Sequence, residues 1–368
     1  MRNKNTSVIL FTLIYGMLIG GYLLFLISPR FLGANMAPIE DIFYQNSKIP
    51  KISAFNESIF IDGNDTFAAK AISEGWSGDG SLNDPYIIEN YEIYATIEHG
   101  VHIRNTDLHF IIRNTTVNDG KLNNYYGFYF ENVTHGRLED NTAYNNQYGF
   151  YLKNSFNNTL IANTAFGNTN GLTLNCSYFN ILTANFIRDN RHGFSLESSY
   201  NNTISGNIIF RNTYLGFYLS SSYNNTLIEN LANRNLNGFT LSYSDLNTFS
   251  NNTANNNDQH GFRLLSSHYN NLIENSASYN QNYGIYLEES TFTVITGNIL
   301  EDNGIGAIYE KFTDDTDYPD VFLIAAIIFI YYNIIALLSI ILIKLMFFIK
   351  RKNIKSFIPK LSLKKRKE

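Results

Sequence analysis

The chain has 368 residues, 44% of them hydrophobic and 15% aromatic, with a net charge of −5 and a single cysteine. That balance excludes a dedicated nucleic-acid binder, which needs a basic footprint to neutralise phosphates. One cysteine, Cys176, excludes an internal disulfide.

Residues 8–27, VILFTLIYGMLIGGYLLFLI, are almost wholly apolar and uncharged. Their length suits a bilayer span, so residues 1–30 read as a membrane anchor, with a removed signal peptide as the alternative. A second apolar stretch covers 321–343, followed by a basic tail, 344–368, with ten Lys/Arg against one Glu. Positive flanks at both ends place both termini in the cytoplasm and the middle of the chain outside the cell membrane. Subtracting those ends (+3 and +9) from the chain's −5 leaves −17 for the stretch between. The basic tail is suited to anionic lipid, which makes membrane lipid an expected partner.

Residues 31–98 form an N-terminal extension. Within it Thr66–Glu74 reads as a short helix, capped by Asp65 or Thr66, with Phe67, Ala71 and Ile72 as its apolar face. Its expected role is a lid on the first coil of the repeats that follow, because an open solenoid end exposes unpaired backbone.

From residue 99 to 312 the chain repeats. Gly127, Gly149, Gly171, Gly193, Gly216, Gly238, Gly261, Gly284 and Gly306 are spaced by 22 or 23 residues. Counting from each glycine, positions +1, +3, +11 and +16 are apolar in all eight units; the unit at Gly149 gives Phe150, Leu152, Leu160 and Ala165. Asparagine recurs at +14 as Asn141, Asn163, Asn185, Asn207, Asn230, Asn252, Asn275 and Asn298, recurs again at +19, and fills +9 in six units. A weaker unit begins at Gly100, with Val101, Ile103, Ile111 and Asn114 in register and a loop at Asn118–Tyr125.

Alternation at +1 and +3 is the period of a strand with one face inward, and no segment shows helical spacing. A coil of 22 residues at about 3.3 Å each is a path of roughly 70 Å, enough to close a triangle and rise one strand spacing of about 4.8 Å. The expected fold is all-β: a right-handed, three-sheet parallel β-helix of about nine to ten coils, flanked by transmembrane helices. Stacked asparagines would bond along their columns, and asparagine tolerates the left-handed conformation that corners require. An acidic linker, 313–320, closes the region.

The Gly-aromatic-x-Leu…Asn-Asn-Thr…Asn unit, with the preceding GNDTFAAKAISEGWSGDGS and DPYIIEN, resembles NosD-like β-helix repeat proteins, within a wider group of carbohydrate-binding proteins and sugar hydrolases. The resemblance covers about residues 59–310. It implies the fold and leaves the activity open, because a scaffold does not dictate the site grafted on it. The name-giving member implies a further alternative, an envelope maturation factor for a copper enzyme, partnered by an ABC transporter in the membrane.

Copper sites want Cys, Met and His brought together. The repeats contain no Met, and His192 and His260 lie three coils apart, roughly 14 Å by strand spacing. His99, His102 and His109 are the one local group. No metal site and no cofactor are expected. Sugar hydrolysis needs two converging carboxylates, yet the acids at +13 (Asp140, Glu229, Glu274) and at +4 (Glu131, Glu197, Glu288) are dispersed. No catalytic residue is assigned.

Two surface features stack. Phe156, Tyr178, Tyr200 and Tyr223 fill position +7 in four consecutive coils, either as a ladder for sugar faces or as corner packing. Arg188, Arg191, Arg211 and Arg234 form a basic island, with Asp189 as a partner, suited to an acidic sugar or to structural pairing. Sequons at Asn56, Asn64, Asn114, Asn132, Asn157, Asn175, Asn201, Asn224 and Asn251 admit glycosylation, although Asn-Asn-Thr also suits the corners. The expected function is binding of carbohydrate or another cell-envelope polymer on the coil surface. A polysaccharide lyase or hydrolase, the maturation factor and a pure scaffold are the alternatives.

Overall fold

The computed structural model of the protein describes residues 57–312. Its strands form three parallel sheets of 11, 10 and 7 strands, and successive strands of each sheet come from successive coils. The first sheet runs from Ile59–Asp62 to Gly306–Lys311. The third stops at Leu231–Asn233 and continues as single bridges through Thr253, Ser276 and Ile299.

Register stacks like on like. Phe150 lies between Phe128 and Leu172, Leu160 between Leu138 and Leu182, and Ala165 between Ala143 and Ile187. All of these side chains are fully buried. No single coil encloses a core; each new coil buries the open face of the last, at about 1.5–3 kcal/mol per large apolar side chain. The repeat glycines serve close approach. A Cβ on Gly149 would lie 2.5 Å from the Gly171 carbonyl oxygen, inside any real contact.

The corners divide their work between two residues. Asp140, Ala162, Ala184, Glu229, Asn251 and Glu274 adopt left-handed backbone, with φ between 52° and 54°. Each precedes a buried ladder asparagine that does not. The sequence expectation placed the left-handed role on the ladder residues themselves; the preceding residue carries it. That turn swings the next side chain inward, where its amide meets the backbone of the coils above and below.

The weak first unit carries one extra residue between Thr106 and Phe110, since Thr106 pairs with Val133 and Phe110 with Gly136. In consequence Ile112 rather than Ile111 aligns with Leu138. Thr115 rather than Asn114 meets the Asn141 side chain, its N–H donating to Asn141 Oδ1 at 3.0 Å.

Helix α1, Asn64–Glu74, closes the first coil. Phe67 is fully buried and stacks on Tyr86, with ring centroids 5.1 Å apart. Gly63 is the N-cap and no side chain caps it; Thr66 Oγ1 instead accepts from the Asp62 N–H. Ile72, expected on the apolar face, is 83% exposed. Among the described residues no helix is long and apolar enough to cross a membrane. The 11 residues of α1 reach about 16 Å, against about 30 Å of hydrocarbon core. This corrects the expected fold class: the described residues form an all-β solenoid with no transmembrane helix among them, and the stretches 8–27 and 321–343 lie outside the described residues.

Candidate functional site

The +7 aromatics come together as a ladder. Successive ring centroids from Phe156 through Tyr178 and Tyr200 to Tyr223 are 5.0, 5.1 and 5.2 Å apart, with planes within 4° of parallel. Each inner ring therefore spends both faces on its neighbours and turns only an edge to solvent. Tyr223, at the upper end, is 48% exposed. A sugar ring needs an open face to stack against, and the inner members of this column do not offer one.

The arginines divide. Asp189 accepts from Arg188 at 2.6 Å and from Arg211 at 2.7 and 2.9 Å. Arg211 and Arg234 both lie over the Phe210 ring, and Arg188 lies over Phe166. Arg191 stands apart, over Tyr214. Asp189 is shared by two of the four guanidiniums, and all four rest on aromatic rings, which engages their faces without neutralising their charge.

A different surface gathers the aromatic chemistry. In the first sheet, Val101 and Ile103, Phe128 and Phe130, and Phe150 and Leu152 point inward and are fully buried. The residue between each pair therefore points outward, and these residues are His102, Tyr129 and Tyr151, in register on adjacent strands. His99, Tyr126 and Tyr148 flank them. Here the tyrosine rings splay, although one face of Tyr129 stacks on His102 at 4.4 Å and 11°. Tyr126 meets Tyr148 at 4.7 Å and 65°, and meets Tyr151 at 5.2 Å and 71°; Tyr129 meets Tyr151 at 5.5 Å and 47°. Rings tilted at these angles do not cover one another face to face.

Burial sets the protonation of this face. It pushes the Tyr129 phenol up to about 12, with the neighbouring Glu131 acting in the same direction, and raises Tyr126, Tyr148 and Tyr151 as well. It pushes the His102 imidazole down to about 4, helped by His99 and Arg104. His99 is lowered too, and its Nδ1 accepts the Tyr126 N–H at 3.0 Å, which fixes that nitrogen as unprotonated. Around the rings, Lys153 pairs with Glu131 at 2.7 Å and Arg104 with Asp62 at 2.7 Å. Asn175 donates to Glu197 at 2.9 Å.

The sequence held a signal for this face: Tyr or His at both −1 and +2 in three successive units. Aligning all eight units hid it, because the next coils place Thr173 and Ser195 at +2. A second, smaller group lies further along the same sheet, where His260 contacts Tyr286 at 4.7 Å and Tyr286 stacks on Tyr309 at 4.9 Å. At the capped end a shallow cleft of about 330 Å³ is lined by Glu74, Trp76, Glu89 and Tyr91. Its carboxylates are already held, Glu74 by Lys70 and Glu89 by Arg113.

No curated protein matches the sequence. Residues 199–323 match the family described as "Periplasmic copper-binding protein (NosD)", and residues 76–232 match "Right handed beta helix region". Each match covers less than half of the chain. Among solved structures, the A-module of the Azotobacter vinelandii mannuronan C-5 epimerase AlgE4 superimposes with a TM-score of 0.51 at 14% identity, covering 72% of this chain and 99% of that one. The Dettilon tailspike protein gives 0.46 at 15% identity, covering 66% and 63%. A periplasmic alginate epimerase, AlgG, gives 0.41 at 18% identity, covering 71% and 74%. At these identities the likeness is one of fold.

The copper in that family description does not fit the residues present. Among the described residues no three His, Cys, Asp or Glu side chains group to hold a metal. Cys176 is a lone, exposed corner residue, and His109 stacks on His135 rather than joining His99 and His102. Repeat, register and matches agree on one conclusion: the chain is a right-handed parallel β-helix repeat protein, similar to the NosD family over residues 199–323.

Proposed function

We propose that the protein binds carbohydrate on the outer face of its first sheet, at the cluster of Tyr126, Tyr129, Tyr148 and Tyr151 with His99 and His102. The observation that carries this reading is the splay of half-buried rings at 47–71°. Such rings offer apolar faces to sugar C–H groups while their hydroxyls exchange hydrogen bonds with sugar hydroxyls. A rigid parallel sheet holds the rings in place before the ligand arrives, which limits the ordering cost of binding. The epimerase that superimposes with a TM-score of 0.51 is named for mannuronan; for this chain its likeness supports the scaffold and leaves the sugar open. Turnover draws no comparable support, since Glu131 and Asp62 beside the rings are both held in ion pairs.

The test is titration of the full chain with a panel of oligosaccharides. Tyr129→Ala and Tyr151→Ala are expected to weaken binding about tenfold each, the loss of one good stacking contact. Affinity unchanged by both substitutions would overturn the reading.

A further inference from the structure

The charges around the tyrosine face are arranged in a way that bears on which sugars it accepts. Both cations that reach it are already neutralised. Lys153 Nζ lies 2.7 Å from Glu131, on the adjacent strand of the same sheet, and the Arg104 guanidinium lies 2.7 Å from Asp62. Glu197 remains, held by the Asn175 amide rather than by a cation. The next guanidinium along the sheet, Arg191, sits over the Tyr214 ring. His99 and His102 stay uncharged at neutral pH, since burial lowers both. The face thus carries no spare positive charge and one spare negative one. Aromatic faces add to this, because the ring quadrupole is negative above its plane and repels a carboxylate brought over it.

We infer that the face takes glycans built of uncharged sugars and discriminates against polyuronates. This rests on the reading of the face as a carbohydrate platform and adds the chemical class of its ligand. A uronate carboxylate has no guanidinium or ammonium to pair with unless it displaces Glu131 or Asp62. Displacement would leave a protein carboxylate unpaired beside half-buried phenols, so the exchange gains nothing. A neutral hexose places only hydroxyls and C–H groups against the same surface, which the phenols and ring faces satisfy.

The experiment uses the full chain and three matched pairs of oligosaccharides of one length and linkage: mannose with mannuronate, glucose with glucuronate, galactose with galacturonate. Affinities are measured by titration calorimetry at low ionic strength. The wild type is expected to bind a neutral member at least about tenfold more tightly than its uronate partner, the effect of one unit charge at contact distance near a protein surface. Glu131→Gln releases Lys153, and Glu197→Gln removes the spare negative charge, each without changing side-chain shape. Both are expected to improve uronate binding several-fold and to leave neutral binding in place, so the ratio falls. A wild type that prefers the uronates, or a ratio unmoved by both variants, overturns the inference while leaving carbohydrate binding intact. Binding of neither member of any pair overturns the carbohydrate reading itself, and this inference with it.

Discussion

Asn163 sits directly beneath Asn185 on the neighbouring coil, and both its backbone N–H and its side-chain amide donate to Asn185 Oδ1 at 3.0 Å. Asn185 in turn gives one amide hydrogen to the Leu160 carbonyl and the other to Asn207. Every polar atom of the buried amide is engaged, so one side chain satisfies groups on the coils below and above it. Replacing it strands them together. Asn185→Ala is expected to cost about 3 kcal/mol, from two buried donors and a carbonyl left unpaired. Asn157→Ala, at an exposed left-handed corner with φ of 54°, is expected to cost about 1 kcal/mol. Midpoints of urea unfolding compare the two; equal shifts would contradict the division of labour at the corners.

Two glycines make a matched pair of a different kind. A Cβ on Gly149 meets the Gly171 carbonyl at 2.5 Å, whereas one on Gly206 meets nothing within 4 Å. Gly206 also stands where neighbouring coils place Ala162 and Ala184, each with φ of 53°. Gly149→Ala is expected to lower stability by more than about 2 kcal/mol, since backbone must move. Gly206→Ala costs about 1 kcal/mol or less, for backbone strain alone. Thermal unfolding of both variants checks this, and the larger loss at Gly206 would refute it.

Glycine period and apolar columns make the three-sheet fold legible because each column is enforced in every coil by the one beneath. Register errors arise where that enforcement lapses, as at Ile111, which yields to Ile112 after a single inserted residue. The serine column Ser155, Ser177, Ser199 and Ser222 was legible as well; each Oγ accepts the N–H of the serine below or of Val133. It was missed because serine reads as a loop residue. The candidate site was less visible for a physical reason. Binding faces do not have to repeat, so Tyr126, Tyr129, Tyr148 and Tyr151 occupy only two coils and vanish in a pattern averaged over eight.

Burial of imidazoles makes stability depend on pH, with His102 and His260 the most strongly shifted and His99, His109 and His192 lowered in the same direction. Burial lowers His102 and His260 each from 6.5 to about 4. A depressed folded-state pKa means that the unfolded chain binds the proton more readily between those values. Stability is therefore full above about pH 6.5 and falls as pH drops toward 4. Discounted for residual solvent exposure, the loss is about 1 kcal/mol per ring. Glu131 and Asp62, lowered chiefly by their hydrogen bonds to Lys153 and Arg104, lose their contributions only below the ordinary carboxylate range, which separates the two effects. His102→Gln should flatten the pH 4–6.5 limb of a melting-temperature profile; an unchanged slope would remove His102 from the account.

The ladder at Phe156–Tyr223 and the tyrosine face of the first sheet should respond oppositely to truncation. Tyr178 lies between Phe156 and Tyr200 with both faces covered, so its ring contributes to cohesion between coils. Tyr178→Ala removes two stacking contacts and opens a gap in the ladder, at about 1–3 kcal/mol of stability. Glycan affinity should not change, because no face was offered. Tyr151 contacts Tyr126, Tyr129 and Tyr148 at angles of 47–71° and covers none of them face to face. Tyr151→Ala should therefore weaken glycan binding while shifting the unfolding midpoint less than Tyr178→Ala does. Titration and urea unfolding on the same two variants decide the matter. Loss of binding in Tyr178→Ala with none in Tyr151→Ala would move the ligand to the ladder edge and away from the face of the first sheet.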